Sequence, residues 1–217
     1  MAEVTPGYCR RVGFSGFPAE ALEFYEGLEA DNTKTYWTAH KATYDDCVRG
    51  PMDALLAELA PRWGAAKVFR PYRDIRFSAD KTPYKTHIGA TLENGGYIQL
   101  GADGLGAGCG VWHMEADQLA HYRDAVASDK TGMPLVELVK TLRRKGIDVT
   151  SHDQLKTVPR GYDRDHPRAD MLRYKGFAAW KSWPVEPWVG TAKARANIEK
   201  FFEAAVPLHE WLRDNVG

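Results

Sequence analysis

The chain has 217 residues, which is enough for one compact domain or at most two small ones and excludes a large multidomain assembly. Hydrophobic residues make up 44% and charged residues 27% of the sequence, a mixture typical of chains that bury a core rather than stay disordered. The 29 Lys and Arg residues balance 29 Asp and Glu residues, so no global field favours unspecific binding to nucleic acid or to an anionic membrane.

Cysteine usage and the N-terminal sequence indicate a cytoplasmic protein. Cys9, Cys47 and Cys109 are odd in number and far apart, so neither a disulfide framework nor a zinc ribbon is predicted. The N-terminus lacks the apolar core of a signal peptide, and no stretch approaches the ~18 apolar residues that a membrane span needs. We expect a single domain over residues 1–217 in a reducing compartment, without membrane contact.

The first third of the chain is predicted to be helical. Pro18 opens a first helix, and Asn32 or Thr33 can cap a second one. The second helix carries an aromatic stripe that we expect to face the core: Trp37, His40 and Tyr44. Gly50-Pro51 is expected to break or kink this helical rod before the apolar pattern continues to Pro61.

In the middle of the chain the hydrophobic period changes to two. Three strands of an antiparallel meander are predicted, over residues 85–92, 97–100 and 105–113. Asn94-Gly95-Gly96 and Asp103-Gly104 supply the turns between them, because these residue types accept a positive φ. Residues 73–78 are predicted as a fourth strand, which Pro71 limits to an edge or a late start.

The remainder of the chain returns to helix. Amphipathic patterns predict helices around residues 119–126, from Pro134 to Gly146, from Pro167 to Lys175, and over 198–212 with an interruption at Pro207. No repeat or clear linker is visible. The predicted fold is therefore α+β, with a central antiparallel meander flanked by N- and C-terminal helices.

Familiar cofactor motifs are missing from the sequence. The glycines at 104, 106, 108 and 110 recur every second residue, which does not match GxGxxG, and no Walker loop or HExxH motif occurs. Four residues are conceivable metal ligands, but their spacing does not require a metal: His87, His113, Asp165 and His166. We therefore predict neither a cofactor nor a metal.

The densest chemistry lies between residues 69 and 87. Five cations against two carboxylates, Asp74 and Asp80, leave an excess of three positive charges: Arg70, Arg73, Arg76, Lys81 and Lys85. Guanidinium groups match carboxylate and phosphate oxygens, so a small anionic ligand is one explanation. The other is a structural network in which the two aspartates fix the arginines or the acidic run from Glu20 to Asp31 packs nearby.

Strand parity extends this block to a groove. Leu105, Ala107, Cys109 and Val111 alternate toward a core, which places the four glycines and Trp112 on the opposite face. In the simplest register the same face receives Lys85, His87, Thr91, Tyr97 and Gln99. Either the glycines form the floor of a ligand groove, or a helix lies tightly on them.

The candidate ligand-binding residues are Arg70, Arg73, Asp74, Arg76, Ser78, Asp80, Lys81, Tyr84, Lys85, Tyr97, Gln99, Trp112 and Arg160. His87 is the candidate for proton transfer, because imidazole changes charge near neutral pH, although no reaction follows. Arg160 belongs to a second basic segment, residues 159–168. In that segment Asp165 is expected to cap the helix at Pro167; alternatively, Arg160 and the start of this helix contribute to the anion site.

Two further functions stay open. A nucleic-acid or protein interaction module could use both basic segments, with Tyr72, Tyr84 and Trp112 for stacking, but the zero net charge makes this the second choice. A third alternative is that the charged block only stabilises the fold. The sequence does not indicate an oligomeric state.

Several motifs resemble an uncharacterised bacterial family, domain of unknown function 2461. They are Gly13-Phe-Ser-Gly-Phe17, residues 32–40 with Tyr44, Pro51-Met52, Arg73-Asp-x-Arg-Phe-Ser-x-Asp-Lys-x-Pro-Tyr-Lys85, Gly110-Val-Trp112, Pro159-Arg-Gly161, and His166-Pro167 with Arg173. Near the second helix, the family's usual sequences are Asn-Asn-Asn and Trp-Phe, and in this chain they are replaced by Asp31-Asn-Thr33 and Tyr36-Trp37. The resemblance implies a single-domain soluble protein and no established activity.

Overall fold

The structure is a computed structural model that describes residues 13–217. Its α-helices are α1 (Ala19–Ala30), α2 (Lys34–Ala39), α3 (Lys41–Thr43), α4 (Gly50–Trp63), α5 (Ala116–Ala127), α6 (Asp129–Arg144), α7 (Ala169–Leu172) and α8 (Lys193–Asn215). A π-helical segment, Tyr44–Arg49, precedes α4, and a 3-10 helix, Pro187–Gly190, precedes α8. The strands are β1 (Ala66–Val68), β2 (His87–Leu92), β3 (Gly96–Gly101), β4 (Gly104–Val111), β5 (Asp148–Thr150) and β6 (Phe177–Trp183).

The strands form one six-stranded sheet in the order β1-β2-β3-β4-β6-β5. The predicted α+β class is confirmed, and so is the consecutive order of the three predicted strands. In the β2–β3 pair His87 lies opposite Gly101, Gly89 opposite Gln99, and Thr91 opposite Tyr97. The predicted strand at residues 73–78 is wrong, since β1 pairs with β2 instead.

The segment that was predicted as a fourth strand has its backbone donors engaged locally. The carboxylate of Asp74 accepts a hydrogen bond from the backbone N–H of Arg76, at 3.2 Å. Short polar side chains that bind nearby backbone groups compete in this way with a strand ladder. Pro71 and Pro83 flank the segment, and neither has a backbone N–H to donate.

Contacts between residues divide the chain into two compact units, which are described separately. Of the described residues, the first contains 13–107 and 182–199, and the second contains 108–181 and 200–217. The single domain expected from the sequence stays a prediction. Among residues 13–217, none of the helices combines the length and the apolar composition that crossing a bilayer requires.

In the first unit, the helices begin largely where their residues predict. Thr33 caps α2, since its Oγ1 accepts a hydrogen bond from the N–H of Tyr36. Gly50-Pro51 does not break the rod as predicted; it forms the first turn of α4, where proline needs no intrahelical partner. The predicted core stripe is right for Trp37 and Tyr44 and wrong for His40, which is exposed because α2 ends at Ala39.

The Gly13–Phe17 motif is explained by a close approach of two backbone segments in the first unit. Gly16 has a φ of +115°, and a Cβ atom there would lie 2.1 Å from the carbonyl carbon of Gly190. The neighbouring N–H of Phe17 donates to the carbonyl of Val189 at 2.9 Å. Only glycine therefore fits at position 16 without displacing the backbone.

In the second unit, three helix predictions are wrong. α6 begins at Asp129 rather than near Pro134, and Pro207 lies inside an uninterrupted α8. The helix predicted from Pro167 is the single turn α7. Asp165 is not its cap: the N–H of Asp165 itself donates to the carboxylate of Asp163, and the residue that precedes α7 is Arg168.

Candidate functional site

The predicted cationic block is an irregular loop that joins β1 to β2. We call residues 69–86 the cationic loop. Its two ends are held together by an isolated bridge between Tyr72 and Tyr84 and by the backbone hydrogen bonds on either side of it. The N–H of Arg73 donates to Pro83 at 2.9 Å, and the N–H of Lys85 donates to Pro71 at 2.8 Å. The base of the loop is therefore a short antiparallel pair.

Two side chains, Asn32 between α1 and α2 and Trp37 of α2, anchor this base. The amide of Asn32 donates from Nδ2 to the carbonyl of Tyr84 and accepts at Oδ1 from its N–H, both at 3.0 Å. The ring of Trp37 stacks on the ring of Tyr84, with 4.5 Å between centroids and 8° between planes. Tyr84, a predicted ligand-binding residue, is only 5% exposed. Its contacts are those of a residue that fixes the loop.

Three of the five cations in the loop already have partners inside it. Arg73 binds the carboxylate of Asp80 and the hydroxyl of Thr82, and Arg76 binds the carboxylate of Asp74 at 2.7 Å. The Nζ of Lys81 donates to the carbonyl of Ile75 at 2.9 Å. The bonds of Arg73 and Lys81 join residues seven and six positions apart and so brace the loop, whereas the bond of Arg76 is local.

The aspartates of the loop respond to these contacts. The hydrogen bond from Arg73, followed by that from the backbone N–H of Thr82, lowers the pKa of Asp80 to about 2. The side-chain hydrogen bond from Arg76 is the largest cause of a lowered pKa at Asp74. Both carboxylates therefore stay ionised at neutral pH and compensate two of the arginines.

The two remaining cations of the loop, Arg70 and Lys85, have no carboxylate within ion-pair distance among residues 13–217. Arg70 is exposed, whereas Lys85 is half-buried and its Nζ lies 5.1 Å from the centroid of the Phe69 ring. Burial lowers the pKa of Lys85, and the positive charge of Arg70 lowers it further. The positive charge of Arg70 also contributes to the lowered pKa of Asp74, but the hydrogen bonds to that carboxylate come from Arg76.

The predicted strand register places polar side chains beside these cations. In the β2–β3 pair His87, Gly89, Tyr97 and Gln99 lie on one face, as expected from parity. Burial, and then the charge of Lys85, lowers the pKa of His87, so its imidazole is neutral at pH 7. The hydroxyl of Tyr97 donates to Oε1 of Gln99 at 3.1 Å, which leaves the NH2 group of Gln99 able to donate to a ligand.

Glycine 89 makes this arrangement of polar side chains sterically allowed. A Cβ atom at Gly89 would lie 2.6 Å from the hydroxyl of Tyr97. Its absence lets the tyrosine ring lie flat across the strand, where it also approaches Phe69 with 6.4 Å between centroids. A strand glycine here therefore serves the close approach of an aromatic side chain.

The surroundings of Gly108 in β4 match neither of the two expectations, an open groove or a covering helix. A Cβ atom at Gly108 would lie 3.0 Å from the ring of Trp180, which belongs to β6. At this position, within the second unit, the ring of Trp180 lies over the glycine, in place of the helix or the open groove that the sequence suggested. Burial does not separate the two faces of β4: Leu105, Ala107 and Cys109 are buried, and so are Gly104, Gly106 and Gly108, whereas Val111 is half-exposed.

Two predicted site residues belong to the second unit. Trp112 is 59% exposed and stacks on His152, with 5.0 Å between centroids. Arg160 lies exposed in the loop before α7.

In the cationic loop, Ser78 is half-buried, and its side chain makes no hydrogen bond to another part of the described chain.

The conceivable metal ligands do not converge. In the described part of the chain, no group of three or more His, Cys, Asp or Glu side chains is placed to hold a metal ion. His166 has a structural role, because its Nδ1 accepts a hydrogen bond from the N–H of Arg168. His113 lies against His152 with 5.8 Å between ring centroids.

Comparison with known families supports the resemblance carried by the motifs. A family model described as "Conserved hypothetical protein (DUF2461)" matches residues 20–211. The chain belongs to this family. No curated protein and no solved structure matches it. The DUF2461 assignment therefore confirms the family and leaves the activity to be inferred from the site.

Sequence reasoning missed three features of this DUF2461 site. Asn32 was considered only as a helix cap, but its main role is to bind the backbone of Tyr84. Phe69 was not recognised as the ring beneath Lys85. Phe77 is 96% exposed, whereas the predicted strand gave it an ordinary alternating position. Both Asn32 and Phe77 lie in motifs shared with the family, and this was the feature of the sequence that could have pointed to them.

Proposed function

We propose that this protein binds a small anion, a molecule that carries a phosphate or carboxylate group, at the cluster of Arg70, Lys85 and His87. One observation supports the proposal above the others. In the described chain Arg70 and Lys85 have no carboxylate partner, whereas Arg73 and Arg76 each have one. A half-buried cation beside a second cation is stabilised by a bound negative charge.

The groups of the cluster have complementary chemistry. The guanidinium of Arg70 offers forked donors that match two oxygens of a phosphate or carboxylate, and Lys85 adds a point charge. The ring of Phe69 covers one side of the Lys85 ammonium, so the ligand approaches from another side. A neutral His87 and the NH2 group of Gln99 can add hydrogen bonds to the ligand.

This proposal is narrower than the expectation from the sequence. Arg73, Asp74, Arg76, Asp80 and Tyr84 were candidate ligand contacts, and their bonds within the first unit favour a role in shaping the loop. His87 can transfer a proton only to a reacting substrate, and neither the sequence nor the site indicates a reaction. The proposal is therefore restricted to ligand binding.

A thermal-shift series tests the proposal. The wild-type protein, Arg70→Gln, Lys85→Gln and the matched control Arg76→Gln are each heated with inorganic phosphate, sulfate or chloride at constant ionic strength. Because a ligand that binds only the native state raises Tm by mass action, we expect phosphate to raise the Tm of the wild type and of Arg76→Gln. Arg70→Gln and Lys85→Gln are expected to lose this rise. The same phosphate response in all four proteins would refute the site.

Nucleic acid is the less supported partner in this proposal. Of the three rings considered for stacking on bases, Tyr84 is buried against Trp37 and has no free face for a base. We propose that the protein acts in the cytoplasm, which is supported by the free thiol of the buried Cys109.

A further inference from the structure

The turn between β2 and β3 holds the one asparagine of the chain that precedes a glycine, Asn94. Each of the other three asparagines precedes a β-branched residue: Asn32 before Thr33, Asn197 before Ile198, and Asn215 before Val216. Asn94 is exposed, and Gly95 has a φ of +80°. The turn therefore places an accessible side-chain amide next to a backbone nitrogen that no side chain shields.

Three hydrogen bonds tie this turn to the end of α4. Nδ2 of Asn94 donates to the carbonyl of Arg62 at 3.4 Å, and the N–H of Asn94 donates to the carbonyl of Trp63 at 3.2 Å. The carboxylate of Glu93 accepts from the N–H of Ala65 at 3.0 Å. Asn94 thus binds two carbonyls in the last turn of the helix, where carbonyls lack intrahelical partners.

The hydrogen bonds of the turn hold it closed, but they are long. The N–H of Gly95 donates to the carbonyl of Leu92 at 3.1 Å, and this bond keeps its nitrogen from attacking the neighbouring side chain. The two bonds from Asn94 to α4 are longer still, at and beyond the upper end of the usual range. Because exposed turns open more readily than core strands, the nitrogen of Gly95 is released transiently in the native protein.

We propose that Asn94 is a site of spontaneous deamidation, a modification that turns a support of α4 into a contact that repels it. The nitrogen of Gly95 attacks Cγ of Asn94, and the new C–N bond closes a five-membered succinimide ring. The C–N bond of the side-chain amide breaks, and the proton of the Gly95 N–H leaves with the released ammonia. Water then adds to one of the two carbonyls of the ring and opens it, which leaves aspartate or isoaspartate at position 94. The reaction involves no oxidation or reduction.

Either product places a carboxylate where the amide donor was. A carboxylate cannot donate to the carbonyl of Arg62, and its charge lies at the C-terminal end of α4, where the helix dipole disfavours an anion. The adjacent carboxylate of Glu93 adds repulsion between like charges. We therefore expect the modified turn to separate from α4. This modification is independent of the proposed anion site, because no residue of the turn belongs to that cluster.

Mass spectrometry of the full chain, aged at physiological temperature in neutral and in alkaline buffer, tests the chemical step. Trypsin releases residues 86–123, which contain Asn94. We expect this peptide to gain the mass of an amide-to-acid exchange at position 94, at least about tenfold faster than the other three asparagines do, and faster in urea than in the native protein. Isomerisation at Asp103-Gly104 leaves the mass unchanged, so it does not interfere. Asn94→Gln, whose longer side chain would have to close a six-membered ring, is expected to keep its mass.

Thermal unfolding of two variants tests the structural consequence. Asn94→Asp, which carries the aspartate from the start, is expected to have a lower Tm than the wild type. The matched control Gln154→Glu, which turns an exposed amide of the second unit into a carboxylate, is expected to melt like the wild type. The proposal would be overturned if position 94 gained no mass in the native protein, if all four asparagines reacted at the same rate, or if Asn94→Asp were as stable as the control.

Discussion

Single carboxylates decide which cations of the loop are available to a ligand. Arg70, Arg73 and Arg76 are the same residue type within seven positions, yet Asp80 binds Arg73 and Asp74 binds Arg76, while Arg70 has no such partner in the described chain. The sequence predicted the excess of positive charge correctly. It could not assign the pairs, because the pairing depends on how an irregular loop folds back on itself.

At the scale of single residues, His87 leads to a prediction about how the unfolding free energy depends on pH. Burial and Lys85 lower its pKa below the ordinary value of 6.5, so the unfolded chain takes up this proton at a higher pH than the native protein does. The contribution of His87 to the unfolding free energy is therefore fully present above pH 6.5, and it is lost as the pH falls toward the lower pKa of the native protein. We expect the unfolding free energy to decrease between about pH 7.5 and about pH 5.

Urea unfolding across this pH range checks the prediction in buffers without phosphate. His87→Asn is expected to show a smaller decrease than the wild type, whereas the control His121→Asn, which changes an exposed histidine of α5, is expected to follow the wild type. An unchanged pH dependence in His87→Asn would show that this imidazole is not the titrating group.

At the scale of elements, regular strands were predictable and the loop was not. β2 and β3 alternate apolar with polar residues, β4 alternates glycine with apolar residues, and Gly95 takes the positive φ, +80°, that the turn between β2 and β3 requires. The cationic loop lacks such a pattern. Its shape depends on Asn32, which is more than 50 positions away from Tyr84, and on the stack between Trp37 and Tyr84. Contacts at that separation leave no periodic signal in the sequence.

Asn32 therefore gives a prediction about the base of the loop. Asn32→Ala removes the partners of two backbone groups of Tyr84 and is expected to destabilise the protein by about 1–3 kcal/mol. Asn32→Asp keeps the acceptor and loses the donor, so its loss should be smaller. Chemical denaturation measures both values; wild-type stability of Asn32→Ala would mean that these bonds do not hold the loop.

Arg168 gives a prediction about the junction between α5 and α6. Its buried guanidinium donates to the carbonyls of Val126 at 2.5 Å and Ala127 at 2.8 Å, which end α5, and it binds Asp129 at the start of α6. Arg168→Met removes these hydrogen bonds and the ion pair with Asp129, while the carbonyl of Ala127 keeps its hydrogen bond from Nε2 of His166; the expected loss is about 2–4 kcal/mol. In calorimetry the control Arg164→Met, an exposed arginine of the same basic segment, is expected to melt like the wild type. Equal Tm values for the two variants would argue against this role.

At the scale of the whole molecule, a neutral chain concentrates its charge locally. Equal numbers of acidic and basic residues give zero net charge, yet α1 is purely acidic and the cationic loop has an excess of three positive charges. Composition alone could exclude a global electrostatic function but could not show this separation. The family assignment over residues 20–211 establishes kinship and leaves the ligand open.

Isothermal titration calorimetry with inorganic phosphate at low ionic strength tests the anion site most directly. The account predicts saturable binding, with one phosphate per chain, to the wild type and to Arg76→Gln, with dissociation constants within about twofold of each other. The double variant Arg70→Gln/Lys85→Gln is predicted to show no saturable heat. A wild type that binds no phosphate, or a double variant that binds it as the wild type does, would contradict the account.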